Sequence, residues 1–346
     1  MIREAIGHLV AGQSLSETDA ASAMEEIMTG TATPSQLGAF LTALRLKGET
    51  VEEVTGLARV MREQAIHVSL PAHLRAVDTC GTGGDAAGTF NVSTAAGLLV
   101  AALGQPVAKH GNRAASSRCG SADVLEALGV KLELGPEQVA ACVERVGFGF
   151  MFAPTYHPAM RHVGPTRREI GIRTVFNILG PLTNPAGARY QMLGVADPKL
   201  LRLMGEVLLR LGCERALIVH GSDGLDEISL SAPTQVVEVR GDSETLVEYT
   251  LTPAELGLAE HRRDEVLGGD AEQNAARMRA LLAGQQDGAL ADMVALNAGA
   301  ALYVTGRAER LVDGLRLARE ALRSGQAMPT LDAVVRTSRV LATMPA

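Results

Sequence analysis

Tryptophan is absent from the 346-residue chain, and aromatic residues make up only 3% of it. Proteins that bind single-stranded nucleic acid stack bases on exposed aromatic rings, so this scarcity counts against that class. Acidic residues also outnumber basic ones, 39 to 32, and the formal net charge is −7. Because nucleic-acid and acidic-membrane surfaces attract basic proteins, we expect neither partner, although a local basic pocket is still possible.

Long apolar runs and closely spaced cysteine pairs are missing as well. No stretch approaches the roughly 18 apolar residues of a membrane span, and the first residues, MIREAIGHLV, include the acidic Glu4 and no secretory signal core. The four cysteines have no CxxC spacing, so we interpret them as reduced thiols. We therefore expect a soluble, cytoplasmic protein whose 47% hydrophobic residues fill a globular core.

The first 66 residues or so predict helices only, because apolar residues recur there at steps of three and four. Ser16 and Thr50 are candidate N-caps, and Pro34 suits the first turn of a helix. Gly30 and Gly48 would end two of these helices. The segment therefore predicts a small helical unit.

From about residue 75 the pattern changes to short apolar runs that alternate with helical segments. Such alternation predicts an α/β fold with a mostly parallel central sheet and helices on its faces. The C-terminal third is rich in alanine and mainly helical. The runs that suggest strands are RAVDT, QPVAKHG, VKLEL, FGFMFA, YQMLGVAD, RALIVHG and QVVEVRG.

Residues 157–187 interrupt the alternation with short helices broken by glycine and proline. We expect this segment to return to the N-terminal helices and so leave a cleft between two domains. The predicted helical domain is residues 1–70 joined by about 160–187. The predicted α/β domain, which would contain the main ligand site, is residues 71–159 and 188–346.

The segment DTCGTGGDAAGTFNVST, residues 78–94, has three glycines within four positions after a candidate strand. Glycines allow the backbone to approach a ligand closely, and a helix that starts at Asn91, Ser93 and Thr94 favours anions at its N-terminus. These features predict a phosphate-binding loop. A plain strand-to-helix turn explains the glycines equally well when they are considered alone.

Two common nucleotide-binding loops do not fit. No GxxxxGK[ST] string occurs. The dinucleotide fingerprint is nearly met by Gly81, Gly83 and Ala86, but that fold needs an acidic residue about twenty positions later. Here the next strand ends in Lys109 and His110, whose charge suits a phosphate better than a ribose diol.

Further polar side chains follow that second strand. The segment from Lys109 continues through Arg113, Ser116, Ser117 and Arg118, so cations and hydroxyls gather beside the glycine loop. Lysine offers a point charge to phosphate, and arginine offers a planar pair of donors. Each of these residues alone is more often a solvated surface charge, but their clustering favours a binding site.

Carboxylates follow a third strand, in GSDGLDEISL after ALIVHG. Asp226 and Glu227 would lie at the carboxyl end of that strand, where ligands bind in parallel sheets. Magnesium prefers a few carboxylates together with water and substrate phosphates. A polar turn and a general acid/base pair are the alternatives. Asp85, inside the glycine loop, suits a sugar hydroxyl or a metal-bound water.

Taken together, these segments show that the chain resembles the anthranilate phosphoribosyltransferase family, a tryptophan-biosynthesis branch of the nucleoside phosphorylase/phosphoribosyltransferase superfamily. The similarity runs nearly end to end. It rests on five segments in one order: PSQLGAFLTALRLKGET, DTCGTGGDAAGTFNVSTAAG, AKHGNRAASSRCGSADVLEALG, FAPTYHPAMRHVGPTRREIGIRTVFNILGPLTNPAG and GSDGLDEISLSAPT.

The resemblance implies a Mg²⁺-dependent transfer of the 5-phosphoribosyl group of phosphoribosyl pyrophosphate (PRPP) to anthranilate. It also implies a homodimer formed through the helical domain. The PRPP-binding residues would be Gly81, Thr82, Gly83, Gly84, Asp85, Thr89, Asn91, Ser93, Thr94, Lys109 and Ser121. The anthranilate-binding residues would be Gly81, His110, Asn112, Tyr156 and Arg167, with His157 beside Tyr156.

Two magnesium ions per subunit are expected, one on Ser93 and a second on Asp226 and Glu227. We assign no catalytic residue, because positioning and electrostatics would carry the reaction; His110 is only a weak candidate base. Ala86, Ala232 and Cys119 depart from the family pattern, but none replaces a side chain with an expected binding role.

Two other functions remain open at the level of sequence. A pyrimidine nucleoside phosphorylase has the same fold, although the Asp226–Glu227 pair and RTVFNILGPLTNP count against it. A nucleic-acid-binding relative without activity would need more basic surface. Arg167, finally, has an alternative as an ion-pair partner within its own RRE segment.

Overall fold

The computed structural model describes residues 1–85, 87–114 and 118–344. In this part of the chain, four helices precede the first strand, strands and helices then alternate, and four helices follow the last strand. The predicted fold class, a helical N-terminal unit followed by a larger α/β unit, is confirmed.

The N-terminal helices begin where their caps predict. The Ser16 hydroxyl accepts a hydrogen bond from the Asp19 N–H, and Thr50 and Glu53 form a reciprocal capping box. Pro34 is the first residue of the third helix, and Gly48 ends it. The four helices are α1 (Ile2–Val10), α2 (Glu17–Met28), α3 (Pro34–Lys47) and α4 (Val51–Glu63).

Seven strands in the described residues form one sheet in the order β3-β2-β1-β4-β5-β6-β7. The first five are parallel, and the last two pair antiparallel at one edge. The strand order reverses at β1 and β4, which is where ligands bind in open parallel sheets. The strands are β1 (Val77–Gly81), β2 (Val107–Gly111), β3 (Phe148–Phe152), β4 (Tyr190–Gly194), β5 (Arg215–Gly221), β6 (Thr234–Arg240) and β7 (Thr245–Leu251).

The remaining helices cover the sheet and the segment between β3 and β4. None of the helices in the described ranges combines the length and the apolar character needed to cross a bilayer. They are α5 (Val92–Ala102), α6 (Ser121–Ala127), α7 (Pro136–Val146), α8 (Ala153–Tyr156), α9 (Gly164–Ile170), α10 (Phe176–Leu182), α11 (Leu200–Arg210), α12 (Ala271–Leu282), α13 (Ala289–Val304), α14 (Leu311–Arg323) and α15 (Met328–Leu341).

Two large hydrophobic cores lie on either side of the sheet. One packs α5 and α13 against one sheet face, and α13 is buried along nearly its whole length. The other joins α2, α3 and α4 with Val163, Leu179 and Leu193. Because Val163 and Leu179 belong to the segment between β3 and β4, that segment packs on the N-terminal helices. The domain boundaries remain a prediction, which this packing supports.

Two details differ from the strand predictions. The segment VKLEL, residues 130–134, is not a strand: the Lys131 N–H donates to the Ser338 hydroxyl, and the Leu134 carbonyl accepts from the Tyr156 hydroxyl. Its alternating pattern reflects burial of every second side chain without a pairing partner. Strand β7 was not predicted, because its side chains are only partly buried.

Candidate active site

A cavity of about 400 Å³ lies at the carboxyl ends of β1 and β2. The glycine loop, the N-terminus of α5 and the loop after β5 form one side of it, and α9 and α10 form the other. Except for Tyr156 and its neighbour His157, every residue that the resemblance assigns to PRPP, anthranilate or magnesium lines this cavity. Side chains that lie far apart in the sequence are thus brought to the switch point of the sheet.

The glycine loop is held mainly by its backbone. The Thr82 N–H donates to the Gly194 carbonyl at 2.9 Å, and the Thr82 hydroxyl accepts from the Ala196 N–H at 3.1 Å. The Gly83 N–H donates to Asp226 Oδ2 at 2.9 Å. A Cβ on Gly81 would lie 2.6 Å from the same oxygen, so only glycine allows this carboxylate so near the loop.

The start of α5 presents polar groups to the cavity. The Thr94 hydroxyl is buried and has no hydrogen-bond partner among the described residues. The Ser93 N–H donates to Glu227 Oε1 at 3.2 Å. Asn91 also lines the cavity, but its amide is already bonded, to the Cys119 carbonyl and to Asn274.

Thr89 lies just before this helix and is held by a second segment. It forms a β-bridge with Leu267, and the Phe90 N–H donates to the Val266 carbonyl at 3.0 Å. This pairing fixes the polypeptide between the glycine loop and α5. The predicted site residues on both sides therefore lie on supported backbone.

Asp226 and Glu227 are half-buried beneath the glycine loop and α5. Burial is the main cause that raises the pKa of each carboxyl group, and the neighbouring carboxylates, Asp85 among them, raise it further. Asp85 Oδ1 accepts from the Ala87 N–H, while Oδ2 is buried without a partner in the described part of the chain. Asp223 does not line the cavity; its Oδ2 accepts from the Ser229 hydroxyl.

Lys109 is the buried cation of the site, with an exposed fraction of 1%. Its ammonium group donates to the Thr79 carbonyl and, at 3.4 Å, to the Ser93 hydroxyl. Burial lowers its pKa, while the nearby Asp78 carboxylate acts in the opposite direction. Ser121, whose hydroxyl donates to the Asn112 carbonyl at 3.3 Å, completes the polar wall beside it.

His110 is held neutral. Its Nδ1 lies 3.2 Å from the Gly180 carbonyl, so this nitrogen carries the proton and donates it. The Nε2 atom then has a lone pair; it is buried and has no partner among the described residues. Burial lowers the pKa of His110 to about 3, and the adjacent His157 ring adds to the shift.

Arg167 lines the opposite wall of the cavity and is half-buried. Its guanidinium carbon lies 5.5 Å from the centre of the Phe176 ring. No carboxylate of the described residues lies within ion-pair distance of it, so the alternative of a pair within the RRE segment finds no support. A cation of this kind is free to bind a substrate carboxylate.

Tyr156 is the predicted site residue that the structure does not bring to the cavity. Its side chain is fully buried against other apolar groups, and its hydroxyl donates to the Leu134 carbonyl at 2.9 Å. The sequence prediction for Tyr156 is therefore corrected to a structural position. Its neighbour His157 is buried and packs against His110 instead.

The cationic cluster after β2 is only partly a binding feature. Arg113 pairs with Asp123 and Glu126, at 3.1 and 2.7 Å, which commits its charge within the protein. Arg118 is exposed and does not line the cavity. Ser116, Ser117 and Ala86, which the sequence analysis also named, lie outside the described residues.

Sequence reasoning missed three polar residues near the cavity. Arg173 and Asn177 line it directly, and Asn274 of α12 holds Asn91 from behind. Arg173 and Asn177 lie within RTVFNILG, a segment that the resemblance included without assigning these side chains a role. No local signal marks Asn274, which is 183 positions from its partner.

A larger cavity of about 1080 Å³ lies at the opposite edge of the sheet, where β4 and β5 begin. Five arginines line it, but Arg189 pairs with Glu214, and Arg215 and Arg240 pair with Glu238. It contains none of the predicted site residues. Size alone therefore does not identify the functional cavity.

The described residues contain no group of three or more histidine, cysteine, aspartate and glutamate side chains gathered as a complete metal site. This agrees with the coordination habits of Mg²⁺, which uses one or two carboxylates and takes further oxygens from water and substrate phosphates. Asp226 and Glu227 meet the protein part of that requirement.

Comparison with known proteins decides the family. A family model described as "Glycosyl transferase family, a/b domain" matches residues 73–328, and its helical bundle domain matches residues 3–65. Anthranilate phosphoribosyltransferase of Rubrobacter xylanophilus is 55% identical over 99% of both chains. The chain belongs to the anthranilate phosphoribosyltransferase family.

Solved structures agree with this assignment. The Thermus thermophilus family member has a TM-score of 0.91 and 49% identity, over 97% of this chain and 99% of that one. The Saccharomyces cerevisiae enzyme in complex with PRPP and Mg has a TM-score of 0.89 and 26% identity, over 98% of each chain. The same yeast enzyme with 4-fluoroanthranilate has a TM-score of 0.87 and 25% identity, over 98% of this chain and 99% of that one.

The family, the fold class and the enzyme class that the sequence predicts are thus confirmed. The chain is a phosphoribosyltransferase of the glycosyltransferase type, in the family that acts in tryptophan biosynthesis. The roles of individual site residues remain predictions, and the geometry above is the basis on which we assign them.

Proposed function

We propose that the chain transfers the 5-phosphoribosyl group of PRPP to the amino nitrogen of anthranilate, with release of pyrophosphate, inside the 400 Å³ cavity. The observation that supports this most directly is the pairing of two half-sites. A glycine loop with a helix N-terminus and two half-buried carboxylates faces an arginine that has no carboxylate partner in the described part of the chain.

The first half-site suits PRPP. The loop and the start of α5 offer backbone N–H groups and the unpaired Thr94 hydroxyl to phosphate oxygens. Lys109 adds a positive charge below them, and Asp85 has an oxygen available for a ribose hydroxyl. The proposed PRPP-binding residues are Gly81, Thr82, Gly83, Gly84, Asp85, Thr89, Asn91, Ser93, Thr94, Lys109 and Ser121.

Mg²⁺ fits the same half-site. Asp226 and Glu227 accept hydrogen bonds from the Gly83 and Ser93 N–H groups, so two carboxylates lie where phosphate oxygens would also bind. Desolvation, and then the neighbouring like charges, raise the pKa of both carboxyl groups, and a divalent cation would offset that charge. When bound, the metal neutralises charge on the pyrophosphate leaving group. We propose two ions per subunit, one on Ser93 and one on Asp226 and Glu227.

The second half-site suits anthranilate. Arg167 would bind the carboxylate with two parallel N–H donors, and the exposed Asn112 amide lies on the same cavity. Gly81 allows close approach of the ring. His110 lines the same cavity, and its Nε2 atom, which has no partner among the described residues, would accept a hydrogen bond from the amino group. Tyr156 has no part in this assignment.

The chemical step needs placement more than activation. The bond from the anomeric carbon to the pyrophosphate oxygen breaks, the nitrogen lone pair forms the new bond to that carbon, and one N–H proton passes to the departing pyrophosphate or to water. The arylamine is neutral at pH 7, so its lone pair is already available. Orientation of two reactants can contribute about 7–11 kcal/mol. His110, with a pKa of about 3, is too weak a base to drive the step.

We also propose that the chain forms a homodimer through its helical domain and acts in the cytoplasm. Leu46 and Val10 support the dimer, because they are 83% and 74% exposed on α3 and α1. The cytoplasmic location is supported by Cys80, Cys142 and Cys213, which are free thiols.

The test is a mixture of purified protein, PRPP, Mg²⁺ and anthranilate, in which the fluorescence of anthranilate is followed. We expect it to disappear with Mg²⁺ and to persist when a chelator is added. A parallel assay of thymidine with inorganic phosphate addresses the nucleoside phosphorylase alternative. Phosphorolysis of thymidine without any loss of anthranilate would overturn the proposal.

A further inference from the structure

Arg173 reaches the glycine loop from the other side of the cavity. It lies between α9 and α10, in the segment that packs on the N-terminal helices, and its Nη2 atom donates to the Gly83 carbonyl at 3.0 Å. No carboxylate of the described ranges lies within ion-pair distance of this guanidinium. Its contact is therefore with backbone of the loop and not with a charge elsewhere.

The fit between Arg173 and Gly84 is close. A Cβ on Gly84 would lie 1.4 Å from Nη1 and 2.6 Å from the guanidinium carbon. Gly84 also has φ of +77°, a conformation that favours glycine. Any side chain at position 84 would displace the guanidinium, so the Arg173 contact needs glycine at this position of the loop.

The Gly83 residue is held from two sides. Its N–H donates to Asp226 Oδ2 at 2.9 Å, and its carbonyl accepts from Arg173. These two partners come from the loop after β5 and from the segment before α10. Removal of Arg173 would leave one of the two bonds, and the loop would then have to be ordered by the ligand itself, which weakens binding.

The base of the arginine is itself well supported. The Thr174 N–H donates to Asn177 Oδ1 at 2.9 Å, and the Asn177 N–H donates to the Thr174 carbonyl at 2.9 Å. These bonds close the turn that starts α10. Arg173 also lines a second cavity of about 190 Å³, next to the site, together with Arg45 and Asp197. Its side chain thus borders both spaces.

We infer that Arg173 is a positioning residue that holds Gly83 and Gly84 in the arrangement that receives the pyrophosphorylated sugar. It does so from the segment that also contains Arg167, so one stretch of chain organises both substrates. The inference rests on the proposed function and adds to it a residue that acts on PRPP binding through the loop.

The experiment compares Arg173→Ala and Arg173→Lys with the wild-type enzyme. We expect Arg173→Ala to raise the KM for PRPP about fivefold, the effect of one typical hydrogen bond. The value of kcat and the KM for anthranilate should stay within about twofold of wild type, because the lost bond of about 1 kcal/mol is made to the loop carbonyl of Gly83 and not to anthranilate or the reacting atoms. Arg173→Lys keeps a donor of similar reach, so it should recover at least part of the PRPP affinity.

Arg168→Ala is the matched control, because Arg168 is an exposed arginine of the same segment that does not line the cavity. It should behave as wild type. Calorimetric titration of PRPP with Mg²⁺ gives a second reading, and the urea midpoint of each variant reports its folding. If Arg173→Ala folds poorly, the PRPP affinity of Arg173→Lys is compared with that of wild type instead.

An unchanged PRPP affinity in Arg173→Ala, an equal loss in Arg168→Ala, or a rise in the anthranilate KM alone would overturn the inference. Failure of the wild-type enzyme to consume anthranilate would instead overturn the proposed function. The calorimetric comparison would still decide whether Arg173 organises the loop for PRPP.

Discussion

At the scale of single residues, Arg167 is proposed to bind a substrate because it has no carboxylate partner in the described part of the chain. It lies in the cavity, half-buried against Phe176, and burial lowers its pKa because no carboxylate of the described residues offsets the desolvation. A buried cation without a partner is costly unless a ligand supplies the opposite charge. The carboxylate of anthranilate meets that need.

Arg167→Ala should therefore raise the KM for anthranilate at least tenfold, because a charge-assisted hydrogen bond contributes about 1.5–3 kcal/mol. The KM for PRPP should change little. Steady-state kinetics with each substrate varied in turn will separate the two, and Arg168→Ala serves as the control. A higher PRPP KM with normal anthranilate binding would mean that Arg167 belongs to the other half-site.

His110→Ala should keep substantial activity, within about tenfold of wild type, since a neutral hydrogen bond contributes about 0.5–1.5 kcal/mol. The double change Asp226→Asn with Glu227→Gln should be far more damaging, because it removes the carboxylates proposed to hold Mg²⁺. Single-turnover rates at saturating substrate measure both. Equal losses in the two variants would show that His110 acts as a base.

The two buried histidines predict a dependence of stability on pH. Burial lowers the pKa of His110 to about 3 and that of His157 to about 4. Below about pH 6.5 the unfolded chain binds protons at both rings, whereas the folded chain does not until the pH approaches these values. Stability contributed by the neutral rings is therefore full above pH 6.5 and falls as the pH drops towards 4.

When the pH falls from 7.5 to 5.5, the free energy of unfolding should therefore drop by about 1 kcal/mol less in His157→Gln than in wild type. This follows from the linkage of about 1.4 kcal/mol per pH unit. Urea unfolding at the two pH values gives the difference. His8→Gln, at an exposed histidine of α1, should leave the wild-type difference unchanged. The prediction fails if the His157 and His8 variants behave alike.

Some site residues could be predicted from the sequence and others could not. The glycine loop and Asp226–Glu227 follow strands, and parallel strands bring their carboxyl ends together. Tyr156 follows β3 in the same way, but its ring turns into the core, and sequence spacing does not report that direction. The Asn91–Asn274 bond is invisible in the sequence because α12 packs there through tertiary contacts alone.

At the scale of elements, one buried carboxylate joins three N-terminal helices. Glu53 of α4 is fully buried; its Oε1 accepts from the Leu15 N–H, and its Oε2 accepts from the Thr50 N–H and from Lys47 at 2.9 Å. Lys47 is itself mostly buried, at 8% exposure of its side chain. The pair is therefore a structural ion pair with all visible partners in place.

Glu53→Ala should destabilise the chain by about 3 kcal/mol, because loss of one member leaves a buried charge and two buried N–H groups without partners. Urea unfolding measures this. Glu52→Ala is the neighbouring control: Glu52 is 47% exposed and pairs with Arg210, so its loss should stay below about 1 kcal/mol. Similar effects at both positions would contradict the role of the buried pair.

Elements with strong local signals could be predicted, and those defined by packing could not. Helices α2, α3 and α4 begin at the caps or proline that their sequences contain. Residues 130–134 alternate apolar and polar side chains as a strand does, but they form no strand. The alternation reflects only the burial of every second side chain. Strand β7 at the sheet edge has a mixed pattern, because it pairs with β6 alone and its side chains are only partly buried.

At the scale of the whole molecule, the segment between β3 and β4 explains the cleft. It crosses from the sheet to the N-terminal helices and places Arg167 and Arg173 opposite the glycine loop. The sequence predicted this return from the break in the α/β alternation. It did not predict how closely Arg173 meets the loop, since that contact depends on the packing of both domains.

The proposed dimer can be tested at Leu46, an exposed apolar residue of α3. Leu46→Asp should convert the dimer to a monomer, because a charge at a buried subunit contact is strongly unfavourable. Light scattering during size-exclusion chromatography gives the mass. Val340→Asp is the matched control, since Val340 is 54% exposed on α15, at the other end of the chain. A dimer that persists in Leu46→Asp would move the interface away from this part of α3.

The central claim is that the cavity at the carboxyl ends of β1 and β2 binds PRPP and Mg²⁺ beside anthranilate. A crystal structure of the protein soaked with PRPP and Mg²⁺ tests it most directly. We predict density for the pyrophosphate along residues 81–94, with metal at Asp226 and Glu227 and the anomeric carbon turned towards Arg167. Density for the sugar remote from residues 81–94 would contradict the account.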